Sequence, residues 1–151
     1  MYKETIRKEE GLRLEKYKPV KTEEHFTIGY GHYGPDVDGM GKITKQQAED
    51  LLDKDVTQRV SEINNLMPDF NSFPDSARDA IFSEYYRGSI AQSPKTVKLI
   101  NEGKYAEAAR EFLNNEEYKN ASDLGKPGIR PRMERVANEL KKMSGGLGSK
   151  S

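Results

Sequence analysis

Apolar residues recur along this chain with two periods, and the points where the period changes mark out its elements. Tyr2, Ile6 and Glu10 fall on one helical face, and Gly11 follows where a left-handed residue usually closes a helix. Glu10 is therefore expected at a helix end. From Leu12 the period drops to two: Leu12, Leu14 and Lys16 alternate with Arg13, Glu15 and Tyr17, and after the polar Thr22-Glu23-Glu24 comes the β-prone run His25-Phe26-Thr27-Ile28. This pattern predicts a hairpin. Gly29-Tyr30-Gly31-His32, Gly34-Pro35-Asp36 and Gly39-Met40-Gly41 then read as loop, because they carry too much Gly and Pro for a regular element.

Helical spacing returns at Thr44. Thr44-x-x-Gln47 has the form of a capping box, and Ala48, Leu51, Leu52, Val56, Val60 and Ile63 hold one face of a helix of about 20 residues. Ala77, Ala80, Ile81 and Tyr85 predict a second helix stopped by Gly88. Ser93 as N-cap with Pro94 at the first helical position opens a third, closed by Gly103. Tyr105, Ala108, Ala109, Phe112 and Leu113 mark a fourth. After a loop at Asp123-Leu124-Gly125-Lys126-Pro127-Gly128, a last helix carries Met133, Val136, Ala137, Leu140 and Met143 on one stripe.

The order helix, small β-region, long helix, helical cluster predicts an α+β fold in a single domain over about 1–143. Within it we expect a β-rich lobe over about 12–43 and a connecting helix over about 44–64. A helical lobe over about 65–143 would include the N-terminal helix, and 144–151, rich in Gly and Ser, would be a flexible tail. A cleft between two such lobes is where a ligand is expected.

Composition narrows the function classes. Lys+Arg and Asp+Glu both number 25, so the formal net charge is +0 and no excess positive field exists to hold nucleic acid or anionic lipid. The absence of Cys excludes disulfides, thiolate metal sites and a cysteine nucleophile, and two His argue against zinc. No metal and no cofactor are expected. No apolar run approaches the ~18 residues that span a bilayer, and the start lacks the apolar core of a signal peptide.

Glu9-Glu10-Gly11-Leu12-Arg13-Leu14-x-x-Tyr17, followed by Phe26-Thr27-Ile28-Gly29-Tyr30-Gly31-His32, resembles the phage-type lysozymes, the endolysin muramidases of glycoside hydrolase family 24. Ile43-Thr44-x-x-x-Ala48-x-x-Leu51-Leu52-x-x-Asp55-Val56 is similar to the helix that joins the lobes in that family. Ser93-x-x-Thr96-x-x-Leu99-Ile100-Asn101-x-Gly103-x-Tyr105-x-x-Ala108-Ala109-x-x-Phe112 and Gly128-Ile129-x-x-Arg132-x-x-Arg135 are similar to its C-terminal half. The resemblance implies a lysozyme-like fold, with a small β-hairpin lobe and a helical lobe joined by a long helix. It also implies hydrolysis of the β-1,4 bond between N-acetylmuramic acid and N-acetylglucosamine in bacterial peptidoglycan. Family members use a Glu, usually an Asp, and a Thr that orients water.

Glycoside hydrolysis needs a carboxylic acid that is still protonated near neutral pH and a second group that manages the attacking water. Glu10 suits the first role, because a carboxyl at the junction of helix and cleft can be desolvated. Thr27 suits the second, because a hydroxyl both donates and accepts; alternation turns it away from Phe26 and Ile28, so it need not lie in the core. The Asp departs from the family pattern. Counted forward from Glu10 it falls on Pro19, and counted backward from Thr27 it falls on Lys21, the hairpin being two residues longer than is usual. Glu15, Glu23 or Glu24 could supply a replacement carboxylate. Without one, Glu10 and Thr27 would make a slower enzyme, since a general base contributes typically ~10²–10⁴-fold.

The resemblance pairs His32 with Asp55 as a structural salt bridge, and His25 is expected to be exposed. Tyr30 and Tyr33 are candidate sugar-binding rings. Arg130, Arg132 and Arg135 are expected to brace the helical lobe. The competing reading is a catalytically weak or inactive lysozyme-like module that binds glycan or serves in a virion, motivated by the absent Asp and by the neutral charge. For the enzyme, the expectation is a monomer without stable membrane insertion, held in the host cytoplasm until release to the wall, or carried in the virion.

Overall fold

A computed structural model describes residues 2–121 and 128–150. Residues 123–127 of the loop expected before the last helix lie outside the described residues, as does Ser151 of the expected tail. The elements are α1 (Tyr2–Glu10), β1 (Arg13–Tyr17), β2 (Phe26–Gly29), β3 (His32–Gly34), α2 (Pro35–Asp38), α3 (Lys45–Leu66), a 3-10 turn (Phe70–Ser72), α4 (Asp75–Arg87), α5 (Pro94–Asn101), α6 (Tyr105–Leu113), α7 (Glu116–Lys119) and α8 (Ile129–Lys150). Among the described residues this is an α+β arrangement of helices and one small antiparallel sheet, as the sequence predicts. Two compact units divide the chain, Met1–Val60 and Ser61–Ser151. Among the described residues, no helix is long and apolar enough to cross a membrane.

In the first unit, α1 buries Ile6 completely and is closed by Gly11, whose φ of 70° lets its N–H reach the Arg7 carbonyl at 3.1 Å. The sequence reading grouped this helix with the helical lobe. It falls in the first unit, where two ion pairs one turn apart tie it to α3. Lys3 Nζ lies 2.7 Å from Asp53, and Arg7 grips Glu49 through Nε and Nη2 at 3.0 and 2.7 Å. At the start of α3 the capping box forms as expected: Thr44 N–H donates to Gln47 Oε1 at 2.8 Å and Gln47 N–H to Thr44 Oγ1 at 3.1 Å.

The sheet has the order β1-β2-β3, antiparallel throughout. The hairpin of β1 and β2 is as predicted, whereas β3 and α2 replace the irregular loop expected there. The glycines that argued against a regular element make the reversal possible. Gly29 and Gly31 adopt φ of 65° and 83°, values that a side chain resists, and the chain thereby folds back to pair Ile28 with His32. Between Arg13 (opposite Gly29) and Tyr17 (opposite Thr27), β1 advances four residues while β2 advances two, so β1 is bulged.

In the second unit, α6 and α4 pack on α8, and α5 on α6, around the fully buried Phe82, Phe112, Ile100, Met133, Val136 and Leu140. Gly88 closes α4 at φ 102°. Ser93 stands at the N-cap of α5, but its hydroxyl does not cap the helix. It donates to the Ser89 carbonyl at 2.8 Å and accepts from Asn115 Nδ2 at 3.1 Å. Helix α8 runs on to Lys150, through the segment read as a tail, since each further turn needs only local i to i−4 bonds once the buried stripe has nucleated it.

A buried ion cluster links α4 to its surroundings. Glu84 is 1% exposed and accepts from Arg87 Nε and Nη2 at 2.9 and 2.8 Å, while Arg87 also donates twice to Glu117 at 3.1 Å. Burial disfavours the guanidinium charge. The bonds to Glu84 and Glu117 outweigh it and hold Arg87 protonated more firmly than an ordinary arginine. Arg135 donates to Asp79 at 3.0 Å, Arg132 to Ser83 at 3.3 Å, and Arg130 to the Tyr118 and Lys119 carbonyls at 3.0 and 2.8 Å, so all three brace the unit.

His32 is the corresponding clamp of the first unit. Its Nδ1 lies 2.7 Å from Asp55 Oδ2 on α3, and its Nε2 lies 2.8 Å from Asp36 Oδ2 on α2. The Asp55 bond, opposed by burial and helped by Asp36, raises the imidazole from its ordinary 6.5 to about 9. The raised value fixes the sign of its pH dependence. The stability it supplies is fully present below pH 6.5 and drains away as pH rises through about 9.

Three stability predictions follow from these ion pairs. Thermal unfolding across a pH series should show wild type losing about 3 kcal/mol between pH 6.5 and 9 relative to His32→Gln. Parallel curves for the two proteins would contradict the clamp. Arg87→Met leaves Glu84 buried beside one less cation and should cost ~3 kcal/mol in urea unfolding. Lys3→Ala breaks an exposed pair and should cost under ~1 kcal/mol.

Candidate functional site

Glu10 is the last residue of α1 and is half-buried, so its carboxyl is carried by a helix end whose direction is set by the Arg7–Glu49 pair one turn earlier. Thr27 lies in the middle of the sheet, on β2. It is 7% exposed, more buried than alternation suggested, because β1 and β3 flank it on both sides. Its direct partners are Tyr17 on β1 and Tyr33 on β3. Residues opposite one another in an antiparallel sheet project from the same face, so Thr27 shares its face with both tyrosines.

Tyr17 was not singled out by sequence. Its ring is half-buried, with the Arg13 guanidinium carbon 4.2 Å from the ring centroid. Burial raises its phenol above the ordinary 10, the Arg13 charge opposes that rise, and the Glu10 charge adds to it. Glu10 and Tyr17 thus lie in one electrostatic neighbourhood. The signal that could have found Tyr17 was its place in the N-terminal motif, and the bulge in β1 concealed its register against Thr27.

The two tyrosines read as sugar-binding rings part company. Tyr33 is 44% exposed; its hydroxyl accepts from the His25 N–H at 3.2 Å and its ring meets the His25 ring edge-on at 5.7 Å. Tyr30 is 6% exposed and donates its hydroxyl to Glu49 at 3.1 Å, so its ring belongs to the join between the sheet and α3 and offers no open face for stacking. The turn geometry of Gly29 and Gly31 swings it inward, which the sequence pattern did not reveal.

Of the possible replacement carboxylates, Glu15 is exposed on β1, Glu23 is half-buried in the turn, and the Glu24 side chain is 84% exposed with its carboxylate 3.9 Å from His25 Nε2. Pro19 and Lys21 are both exposed. His25, expected to be exposed, is half-buried instead. Its Nδ1 lies 2.9 Å from Asp38, whose other oxygen accepts the Phe26 N–H at 2.9 Å. Those bonds hold the Asp38 carboxyl below the usual carboxylate range, the His25 bond foremost. Asp36 and Asp38, two residues apart on the short α2, therefore hold His32 and His25 at either end of the β2–β3 ribbon.

The arrangement offers a carboxyl on a half-buried residue at a helix end, a hydroxyl on a buried residue of the central strand, and aromatic rings on that strand's two neighbours. Comparison with known proteins bears on what such a set is for. A family model described as Phage lysozyme matches residues 7–135. The chain is 42% identical over 109 residues to an endolysin of Bacillus phage PZA, covering 71% of this chain and 42% of that protein. It is 38% identical over 110 residues to an endolysin of Bacillus phage B103, covering 72% and 41%. A probable T4-type lysozyme 2 of Dictyostelium discoideum is 28% identical over 141 residues, covering 75% and 82%. The chain spans about two-fifths of the length of the two Bacillus phage endolysins. With the match running from the middle of α1 into α8, and so including Glu10, the whole sheet and α3, the chain belongs to the phage lysozyme family.

Proposed function

We propose that this protein is a peptidoglycan-degrading N-acetylmuramidase that hydrolyses the β-1,4 bond between N-acetylmuramic acid and N-acetylglucosamine. The observation that carries the reading is the placement of Glu10. It is a carboxyl on the end of α1, in a half-buried residue of the same unit as Thr27 with its hydroxyl. Glu10 gives its proton to the departing saccharide oxygen as the glycosidic bond breaks. Thr27 orients the water that adds to the sugar carbon, and the proton released from that water restores Glu10 or passes to solvent. Tyr33, exposed beside Thr27 on β3, supplies a ring for a sugar face.

No acidic residue stands at Pro19 or Lys21, so the water is positioned by Thr27 without a strong base unless Glu15, Glu23 or Glu24 reaches it. The scheme describes an enzyme slower by roughly 10²–10⁴-fold than one with a full acid and base pair. That same feature favours the second reading, a lysozyme-like module that binds glycan or serves in a virion with little or no turnover. As an endolysin the chain would act alone, without cofactor or metal, on wall polymer reached from the host cytoplasm.

Clearing of a suspension of purified peptidoglycan tests the two readings. Wild type should clear it, Glu10→Gln should be slower by at least ~10²-fold, and Thr27→Val should fall well below Thr27→Ser. Clearing by Glu10→Gln at the wild-type rate would remove Glu10 from its role. Tight binding of wild type with no clearing would favour the non-catalytic module.

A further inference from the structure

The bulge in β1 has an effect on the side chains around Thr27. Between two paired positions β1 carries three residues, Leu14, Glu15 and Lys16, opposite the single Ile28. Such an insertion re-aims the side chains that follow it, and the residue it brings opposite Thr27 is Tyr17. Without it, a register continued from Arg13 and Gly29 would set Glu15 there and leave a solvated carboxylate beside the Thr27 hydroxyl. The Arg13 guanidinium, at the other end of the bulge, lies over the Tyr17 ring at 4.2 Å and holds it from one face.

Resting on the reading of Glu10 and Thr27 above, we propose that Tyr17 is a third residue of the glycan site, a substrate-binding phenol that donates a hydrogen bond to an acceptor oxygen of the saccharide beside the bond Glu10 protonates. Three features of the geometry support it. Tyr17 shares the sheet face of Thr27, its ring is only half-buried and so still reaches solvent, and Arg13 fixes the ring without engaging the hydroxyl. The phenol is neutral over the range in which the enzyme would work, because burial raises it above the ordinary 10 and outweighs the opposing Arg13 charge, so it is present as a donor. An exposed Tyr33 on the opposite neighbour of Thr27 gives the glycan a second ring, and the three strands then read as Tyr17, Thr27, Tyr33 across one row.

Binding decides the matter independently of turnover. A tetrasaccharide of alternating N-acetylglucosamine and N-acetylmuramic acid is titrated calorimetrically into wild type, Glu10→Gln and Glu10→Gln/Tyr17→Phe, with thermal unfolding of each as a check on the fold. Phe keeps the ring and the Arg13 contact and removes only the hydroxyl. The double variant should bind roughly three- to tenfold more weakly than Glu10→Gln, the loss of one neutral hydrogen bond, at an unchanged melting temperature. Arg13→Gln in the Glu10→Gln background should lose part of that affinity, and Arg13→Lys should recover it. Equal affinity of Glu10→Gln with and without Tyr17→Phe overturns the assignment of Tyr17. Wild-type turnover by Glu10→Gln would overturn the role of Glu10 while the affinity comparison still decides on Tyr17. No binding by wild type or Glu10→Gln overturns both.

Discussion

The pairing of Arg7 with Glu49 governs where Glu10 stands. A nine-residue helix is too short to persist by its own hydrogen bonds, so α1 exists because something holds it. Ile6 supplies the apolar anchor, and the two carboxylates Glu49 and Asp53, one turn apart on α3, meet Arg7 and Lys3, one turn apart on α1. Glu49 also accepts from Tyr30, so the same carboxylate fixes the turn that leads from β2 to β3. Helix end, central strand and turn are thereby referenced to one side chain. A carboxyl one turn beyond Arg7 inherits that rigidity, on which the proposed proton transfer from Glu10 depends.

The rest of the first unit follows the same economy. Its sheet buries few large apolar side chains, chiefly Ile28, and polar clamps compensate. His32 is gripped by Asp36 and Asp55, and His25 by Asp38. The second unit repeats the device on a helical scaffold, with Glu84 buried between Arg87 and Arg132. A chain with 33% charged residues and zero net charge can commit so many charges to internal pairs because they balance, at the cost of leaving no field to attract an anionic wall from a distance.

Much of this was legible in the sequence, and the parts that were not have physical reasons. The reciprocal bonds of Thr44 and Gln47, the left-handed Gly11 and the apolar stripe of Met133, Val136 and Leu140 are local patterns, and local patterns are what a sequence displays. Gly11 in particular announced that Glu10 ends a helix. Strand β3 was hidden because the glycines that turn the chain look the same, in sequence, as glycines that forbid a strand. Tyr30 passed for a surface ring because its partner, Glu49, comes from another element. Tyr17 went unnoticed because a bulge shifts register without leaving a compositional trace. No pattern chose among Glu15, Glu23 and Glu24, since which of them approaches a bound glycan depends on the three-dimensional path of the hairpin.

The proposed hydrolysis breaks a glycosidic bond on the muramic acid side with a proton from one helix-end carboxyl. Its most direct measurement is the identity of the sugar ends released from purified peptidoglycan, trapped by borohydride reduction and weighed by mass spectrometry. Hydrolysis as proposed leaves reduced muramic acid at the new ends, accumulating with time. Reduced glucosamine ends, anhydro ends or no new ends at all would contradict it.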